Sequence, residues 1–143
     1  MMNFEMISLH WVNRLSFVVR RELGDRFKAQ GYNVSAEEWA VLLLLWQEEG
    51  MAPSEIAERT VRDRTTITRF LDGMERKDLL QREQDPKDRR RSRVLLTENG
   101  RSLKEPLTAI AGALIGEAQD GLCAEETKQL VGLLKKMTKN LLK

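Results

Sequence analysis

Apolar residues recur at helical spacing along the first part of the chain. Six of them mark one face of the opening segment: Phe4, Ile7, Trp11, Leu15, Val18 and Val19. This pattern predicts one long helix over about the first thirty residues, ended by Gly31. Ser35 and Glu38 then have the spacing of a capping box for a second helix. Residues 39–46 of that helix are apolar almost all round, so we expect it to be buried.

The middle of the chain predicts a short helix, a turn and a longer helix with two unlike faces. Pro53 suits the first position of a helix over Ser54–Arg59, and Asp63 suits the N-cap of a helix that reaches about Lys77. At about 100° per residue, the longer helix directs one apolar side inward: Ile67, Phe70, Leu71 and Met74. Its opposite side and margins are polar: Arg64, Thr65, Thr66, Thr68, Arg69 and Asp72. Such a face suits contact with bases and phosphates, although many ordinary surface helices share it.

Two short strands are predicted next, over Leu79–Glu83 and Arg93–Leu96, with turn residues 85–88 between them. Thr97 suits the cap of a fifth helix, inside which Pro106 either kinks the helix or marks a fresh start. Residues 120–121 break the chain before a last helix from about residue 124. Both C-terminal helices carry apolar stripes: Leu103, Leu107, Ile110, Leu114 and Ile115, then Leu130, Leu133, Leu134, Met137 and Leu141.

This order of elements is the sequence form of a winged helix-turn-helix, so we predict a mainly α fold with a small β-wing. Within one compact domain, residues 1–34 are assigned to an N-terminal dimerisation helix and 35–97 to the winged helix-turn-helix. Residues 98–143 are assigned to C-terminal dimerisation helices. The terminal apolar stripes exceed what a small winged domain covers, which favours a homodimer. The alternative is a monomer whose terminal helices pack on its own core.

Positive charge is concentrated on the predicted wing, although the net charge of the 143 residues is only +2. Residues 62–93 hold eleven Lys/Arg against seven Asp/Glu, and residues 87–93 hold five basic residues and one acid. A concentration of this kind is typical of a phosphate-binding surface. A solvated charged loop explains the composition about equally well.

The composition argues against an enzyme and against a metal site. A single histidine, His10, and a single cysteine, Cys123, leave too few residues for zinc or for a nucleophile–histidine pair. The sequence has no phosphate-binding or dinucleotide-binding glycine motif, so no cofactor is expected. It also has no apolar run of the roughly 20 residues that span a bilayer and no signal-peptide pattern. We therefore expect a cytoplasmic protein without a membrane partner.

Two segments together resemble the MarR family of bacterial and archaeal regulators: SEIAERTVRDRTTITRFLDGMERKDLLQRE and DPKDRRRSRVLLTENGR. The most specific part is the string from the aspartate–proline pair through Asp88-Arg89-Arg90 to Leu96-Thr97-Glu98, and GLCAEETKQLVGLLKKM is similar to the family's final helix. The resemblance implies a homodimer that binds double-stranded, pseudo-palindromic DNA and represses transcription. It also implies that the first and the last two predicted helices form the dimerisation layer.

The resemblance further implies roles for individual residues. Arg90 is the wing arginine that enters the minor groove, where narrow A·T-rich DNA concentrates negative potential. Asp88 pairs with a wing arginine, and Arg89 and Arg91 lie near phosphates. The remaining DNA-facing residues belong to the two middle helices: Ser54 near the backbone, Arg64 at the helix start, and Thr65, Thr66, Thr68 and Arg69 toward the major groove.

Two features depart from the family pattern. Family members often have a glycine in the turn before the recognition helix, where this chain reads Arg59-Thr60-Val61-Arg62-Asp63. The serine or threonine that commonly caps the preceding helix is replaced by Ala52-Pro53. Both departures affect the geometry of the turn rather than the order of elements.

The resemblance also implies a small aromatic or anionic effector near the first helix. Arg14 is able to hold a carboxylate beside His10, while Trp11 or Trp39 stacks on a ring. The alternative is that the tryptophans belong to the core and Arg14 pairs with an acid. Cys123 stands where a helix N-cap is expected, which lowers a thiol pKa, but a lone thiol without activating neighbours is usually inert.

These observations predict a ligand-responsive repressor whose effector shifts the spacing of two recognition helices. The alternative from another class is a winged-helix module whose basic wing binds an acidic protein. DNA binding that falls steeply with salt and depends on Arg90 distinguishes the two.

Overall fold

The computed structural model describes residues 2–142, which divide into two compact units between Ile110 and Ala111. The predicted boundaries after residues 34 and 97 stay predictions. The chain is mainly helical with one small antiparallel sheet, as the sequence predicts. The helices are α1 Ser8–Ala29, α2 Ala36–Gln47, α3 Pro53–Thr60, α4 Arg64–Arg76, α5 Glu98–Ser102, α6 Lys104–Ala118 and α7 Ala124–Leu141. The strands are β1 Leu80–Gln84 and β2 Ser92–Leu96.

The N-terminal segment is not one continuous helix. Phe4–Met6 form a 3₁₀ turn, and α1 begins only at Ser8. The Asn3 side chain accepts a hydrogen bond from the backbone N–H of Glu5 at 3.1 Å, and Ile7 is extended with φ −99° and ψ 114°. A side chain that caps its own backbone competes with helical hydrogen bonding, so the apolar periodicity continues across a break in the helix.

The capping box predicted for α2 is present. The Ser35 N–H donates to Glu38 Oε1 at 2.9 Å, and the Glu38 N–H donates to Ser35 Oγ at 3.1 Å. Val41, Leu42 and Leu45 are fully buried, but Trp39 and Trp46 are only half-buried. The prediction of a helix buried all round was therefore too strong, because only one side of α2 faces the core.

The two strands form the predicted hairpin, with Leu80 opposite Leu96 and Gln84 opposite Ser92. β1 begins and ends one residue later than predicted, and β2 begins one residue earlier. A feature absent from the prediction lies on the outer edge of β2, at its central residue. The Gly50 N–H donates to the Val94 carbonyl at 2.9 Å, and the Val94 N–H donates to the Met51 carbonyl at 2.8 Å. The loop between α2 and α3 is thus hydrogen-bonded to β2.

The predicted fifth helix is two helices in the structure. Thr97 caps α5 by accepting the Gly100 N–H at 3.0 Å, as predicted, but α5 ends at Ser102 and α6 starts at Lys104. Pro106 is the third residue of α6, where a missing N–H costs no helical hydrogen bond. Of the two outcomes predicted for this proline, the fresh start is the observed one.

The core of the first unit holds α4 in place. The largest fully buried side chains include Ile56 of α3, Ile67, Leu71 and Met74 of α4, Leu80 of β1 and Val94 of β2. Because one core receives side chains from the two middle helices and from both strands, α3, α4 and the hairpin fold as one body.

Gly100 is required by the close approach of α5 to the start of the hairpin. A Cβ atom built on Gly100 lies 2.0 Å from the Leu79 carbonyl oxygen, while one built on Gly24 meets nothing within 4 Å. The Gly100 carbonyl also accepts the indole N–H of Trp46 at 3.0 Å. No side chain fits at Gly100 without movement of the backbone.

We expect Gly100→Ala to lower the free energy of unfolding by about 3 kcal/mol, since a rigid backbone atom must move. Gly24→Ala, inside α1, should change it by less than about 1 kcal/mol and in the stabilising direction. Urea unfolding of the two variants and the wild type measures both values. Equal stability of Gly100→Ala and the wild type would contradict the packing described here.

Candidate nucleic-acid interface

The recognition-helix candidate α4 begins at a cap made by two side chains. Asp63 Oδ1 accepts the Thr66 N–H at 2.7 Å, and Asp63 Oδ2 accepts the Thr66 hydroxyl at 2.8 Å. These hydrogen bonds from Thr66 hold the pKa of Asp63 below its usual value, so the cap is formed by the ionised carboxylate. The Thr66 hydroxyl proton, predicted to face DNA, is instead used in the cap.

The two faces of α4 differ as predicted. Ile67, Leu71 and Met74 are buried, although Phe70, predicted on the same side, is only half-buried. The polar side is exposed: Arg64, Thr65, Thr68 and Arg69. The Thr68 hydroxyl donates to the Arg64 carbonyl at 2.9 Å, which leaves its oxygen free to accept a hydrogen bond. The exposed face therefore offers two guanidinium groups and two hydroxyl groups to a ligand.

The turn before α4 is strained. Val61 has φ 55° and ψ 45°, in the left-handed region, and the residue is 65% exposed. This is the turn where the sequence has no glycine, although the resemblance leads one to expect it. A β-branched residue is rare in this conformation because its Cβ crowds the backbone. The orientation of α4 relative to α3 therefore requires a strained backbone conformation at Val61.

The tip of the hairpin is built by two aspartates. Asp85 Oδ1 accepts the Lys87 N–H at 2.8 Å, and Asp88 Oδ1 accepts the Arg90 N–H at 3.0 Å. Asp88 Oδ1 also lies 3.6 Å from Nε of Arg90, whose side chain is 94% exposed. The aspartates shape the backbone, and the shaped backbone presents Arg90 to solvent.

The other arginines of the hairpin differ in what they contact. The Arg91 guanidinium pairs with Glu55 Oε1 of α3 at 2.8 Å, and Arg93 pairs with Glu83 on the opposite strand. Arg89 is exposed, and its carbonyl accepts a hydrogen bond from the Gln84 side chain. Ser54 is exposed in the first turn of α3. Arg91, predicted to lie near phosphates, therefore has an acidic partner within the protein.

Arg82 is a residue of this surface that the sequence analysis did not single out. It connects β1 to α4 by pairing with Asp72 and Glu75. In the sequence, Arg82 is marked only by its place on a short strand that follows a helix with two acids three residues apart. This pattern is too common to identify a functional residue.

The four predicted effector residues are not all together. His10 and Trp11 stack edge to face with ring centroids 5.4 Å apart, and the Trp11 N–H donates to the Glu5 carbonyl at 3.0 Å. His10 and Arg14 line an open cleft of about 380 Å³ along one side of α1. Its other lining residues are Asn13, Phe17, Val18 and Arg21. This side of α1 is cationic and partly aromatic.

Trp39 is separate from that cleft. Its ring lies 6.2 Å from the ring of Phe27. Phe27 and Arg14 are both on α1, and at a rise of about 1.5 Å per residue they are about 20 Å apart along the helix axis. The Trp39 Nε1 atom is buried without a hydrogen-bond partner among residues 2–142. Within one chain, Trp39 is therefore too far from Arg14 to stack on a ring that Arg14 holds.

Cys123 is exposed at the start of α7. Its backbone N–H donates to Glu126 Oε1 at 2.9 Å, and this hydrogen bond lowers the pKa of Glu126. In the described part of the chain, no group of three His, Cys, Asp or Glu side chains is placed to hold a metal ion. Over the same residues, no helix has the length and apolar character that a membrane span requires.

Comparison with known proteins relates the chain to transcriptional regulators. The sequence model of the MarR family matches residues 34–92, from the end of the α1–α2 loop to the first residue of β2. The organic hydroperoxide resistance transcriptional regulator of Bacillus subtilis (strain 168) is 31% identical over 127 residues, which cover 85% of each chain. These matches are to regulators and not to enzymes.

Solved structures share the fold over almost the whole chain. The PcaV transcriptional regulator from Streptomyces coelicolor, in complex with its natural ligand, has a TM-score of 0.84 at 23% identity, covering 97% of this chain and 96% of that chain. Reduced AbfR bound to DNA has a TM-score of 0.72 at 23% identity, covering 92% of this chain and 90% of that chain. The winged helix-turn-helix architecture is common to all three.

We expect Val61→Gly to raise the free energy of unfolding by about 1 kcal/mol, since glycine adopts the left-handed conformation without strain. Arg62→Gly, one residue later in the same turn and without a positive φ, should lower it by about 0.5–1 kcal/mol. Thermal and urea unfolding measure both changes. A loss of stability in Val61→Gly as large as that in Arg62→Gly would show that the turn is not strained at Val61.

Proposed function

Because this chain belongs to the MarR family of DNA-binding transcriptional regulators, we propose that it is a ligand-responsive repressor that binds a pseudo-palindromic operator as a homodimer. The observation that carries the proposal is the pairing of two cationic elements on one body. The polar face of α4 and the exposed Arg90 tip both project from the unit that contains α3, α4 and the hairpin. Membership of this family favours DNA over an acidic protein as the partner of the wing.

We assign the residues by their exposure and chemistry. Thr65, Thr68 and Arg69 face the major groove, where hydroxyl and guanidinium groups read base edges. Arg90 enters the adjacent minor groove, because a fully exposed guanidinium gains most from the negative potential there. Four further residues contact or approach phosphates: Ser54, Arg64, Arg89 and Arg91. Asp88 and Thr66 act indirectly, by shaping the wing tip and by capping α4.

Arg91 has to exchange partners for this role. Its guanidinium pairs with Glu55 at 2.8 Å, and both side chains are about half exposed. Exposed ion pairs contribute at most about 1 kcal/mol, so a phosphate oxygen competes readily with the carboxylate.

A second copy of the chain covers the exposed apolar residues in our proposal. Phe4, Leu9, Leu15 and Phe17 are more than half exposed in the N-terminal segment. In α7, Leu130, Val131, Leu133 and Leu141 are exposed along the helix. Apolar surface of this kind is usually buried in an interface, and a two-fold partner places two recognition helices about 34 Å apart on successive major grooves.

The effector binds the side of α1 lined by His10 and Arg14 in our proposal, with Trp11 next to it. The cleft is lined by α1 alone and is open to solvent, and Arg14 and Arg21 in it complement the carboxylate of a small aromatic acid. Binding there alters DNA affinity by favouring one arrangement of the two recognition helices over another. Trp39 belongs to this site only if a partner chain brings the two together.

The central test is selection of bound sequences from a random duplex pool, followed by measurement of affinity for the selected duplex. We expect two inverted half-sites about one helical turn apart, since a two-fold dimer reads them together. Arg90→Ala should weaken binding at least about tenfold and lower the magnitude of the salt slope by about one ion. Lys28→Ala, which removes an exposed charge from the end of α1, is the matched control and should change affinity less than about twofold.

A single unpaired half-site in the selected pool would contradict the dimer, and binding that does not depend on Arg90 would contradict the assignment of the wing.

Benzoate tests the effector site, because it is a minimal aromatic carboxylate. At constant ionic strength, we expect millimolar benzoate to weaken binding to the selected duplex at least about fivefold, and Arg14→Ala to abolish this response. Fluorescence anisotropy of a labelled duplex measures the effect, again with Lys28→Ala as control. The same loss of DNA affinity in Arg14→Ala and in the wild type would place the carboxylate elsewhere.

A further inference from the structure

We infer that Arg82 is a positioning residue: by holding Asp72 and Glu75 of α4 from strand β1, it locks the wing to the recognition helix and fixes the geometry with which both grip DNA. This inference rests on the proposed function and concerns how the two DNA-binding elements act together.

The contacts of Arg82 connect two elements through both its backbone and its side chain. Its Nη2 atom lies 2.5 Å from Asp72 Oδ1 and 3.2 Å from Glu75 Oε2, and its backbone N–H donates to Glu75 Oε1 at 3.1 Å. Both oxygens of Glu75 are therefore used by the same residue. The Arg82 side chain is only 26% exposed, so these hydrogen bonds are partly shielded from water.

Glu75 takes the place that a further strand would occupy. Among residues 2–142, β1 pairs with β2 and with no other strand, and Arg82 lies opposite Val94 in that ladder. A two-stranded hairpin is marginally stable by itself, and its outer edge has unpaired backbone groups. The Glu75 carboxylate satisfies one of them and so attaches the edge of β1 to α4. The hydrogen bond from the Arg82 N–H also lowers the pKa of Glu75, which keeps the carboxylate ionised at neutral pH.

Asp72 gives the contact a second consequence. It follows Thr68 by four residues and Thr65 by seven, so it lies one and two helical turns further along the face predicted to meet DNA. An unpaired carboxylate there would repel phosphates. Arg82 offsets this charge from within the protein, and the acid becomes an anchor for the wing.

The lock matters because α4 and Arg90 must reach two different grooves at the same time. If the hairpin moved relative to α4, binding to DNA would have to restrict that motion, at a cost in conformational entropy. Affinity would then fall although every contact residue was still present. The effect of losing Arg82 should therefore appear as lost coupling between the wing and α4 rather than as a lost phosphate contact.

The hairpin provides a matched control for charge and location. Arg93 is a partly exposed arginine on β2 and pairs with Glu83 on β1, so its ion pair lies within the hairpin and does not reach α4. Arg82→Gln and Arg93→Gln remove the same charge from adjacent strands, but of the two only Arg82→Gln removes ion pairs between the hairpin and α4.

The experiment measures binding of the 143-residue chain to the selected duplex over a range of salt concentrations. It compares the wild type with Arg82→Gln, Arg93→Gln, Arg90→Ala and the double variant Arg82→Gln/Arg90→Ala. We expect Arg82→Gln to weaken binding about tenfold with an unchanged salt slope, and Arg93→Gln to weaken it less than about twofold. In the Arg82→Gln background, Arg90→Ala should cost no more than about threefold, because a wing held less firmly against α4 contributes less to binding.

Thermal unfolding accompanies each measurement, and Arg82→Lys is the second variant. Lysine keeps the charge but lacks the rigid, planar guanidinium whose Nη2 atom contacts both acids. The affinity of Arg82→Lys should therefore lie between those of the wild type and Arg82→Gln, with the salt slope of the wild type. If Arg82→Gln does not fold, Arg82→Lys with and without Arg90→Ala gives the same comparison.

Two results would overturn the inference while leaving the proposed function intact. One is that the wild type binds DNA and the Arg82→Gln variant binds it equally well. The other is a loss that multiplies with that of Arg90→Ala and lowers the salt slope by about one, which identifies Arg82 as a direct phosphate contact. If the wild type binds no duplex even at low salt, the proposed function fails first and this inference with it.

Discussion

The burial of one side of α4 is the constraint on which the rest of the surface depends. Ile67, Leu71 and Met74 pack into a core shared with α3 and both strands, and this packing fixes the rotation of the helix about its own axis. Since successive residues turn by about 100°, the same rotation exposes Thr65, Thr68 and Arg69. The apolar packing thus sets which side of α4 faces outward.

The hairpin uses its positive charge in two different ways. Arg82, Arg91 and Arg93 each pair with an acid inside the protein, whereas Arg90 is almost wholly exposed beside the aspartate that shapes its backbone. A count of basic residues along the chain therefore overstates the charge available to a ligand. The paired arginines stiffen the element, and the exposed one is presented by it.

Features determined by local chemistry were predictable from the sequence, and features determined by distant partners were not. The capping residues Ser35, Asp63 and Thr97 act within three residues of their partners, so the starts of their helices were predicted within one residue. The break near Ile7 was missed because apolar periodicity continues across it. The pairing of Val94 with the α2–α3 loop and the contacts of Arg82 join residues far apart in sequence or in different elements, and no periodic pattern marks them. The separation of Trp39 from Arg14 likewise depends on where α2 packs along α1.

The hydrogen bonds between the α2–α3 loop and Val94 also bear on the outer edges of the hairpin. The outer edge of β2 exchanges hydrogen bonds with this loop, and the outer edge of β1 donates one to the Glu75 carboxylate. Both outer edges of the two-stranded sheet are therefore occupied in part by other segments of the same chain. Fewer backbone groups are left to pair with a strand of another molecule, which protects the hairpin against edge-to-edge aggregation.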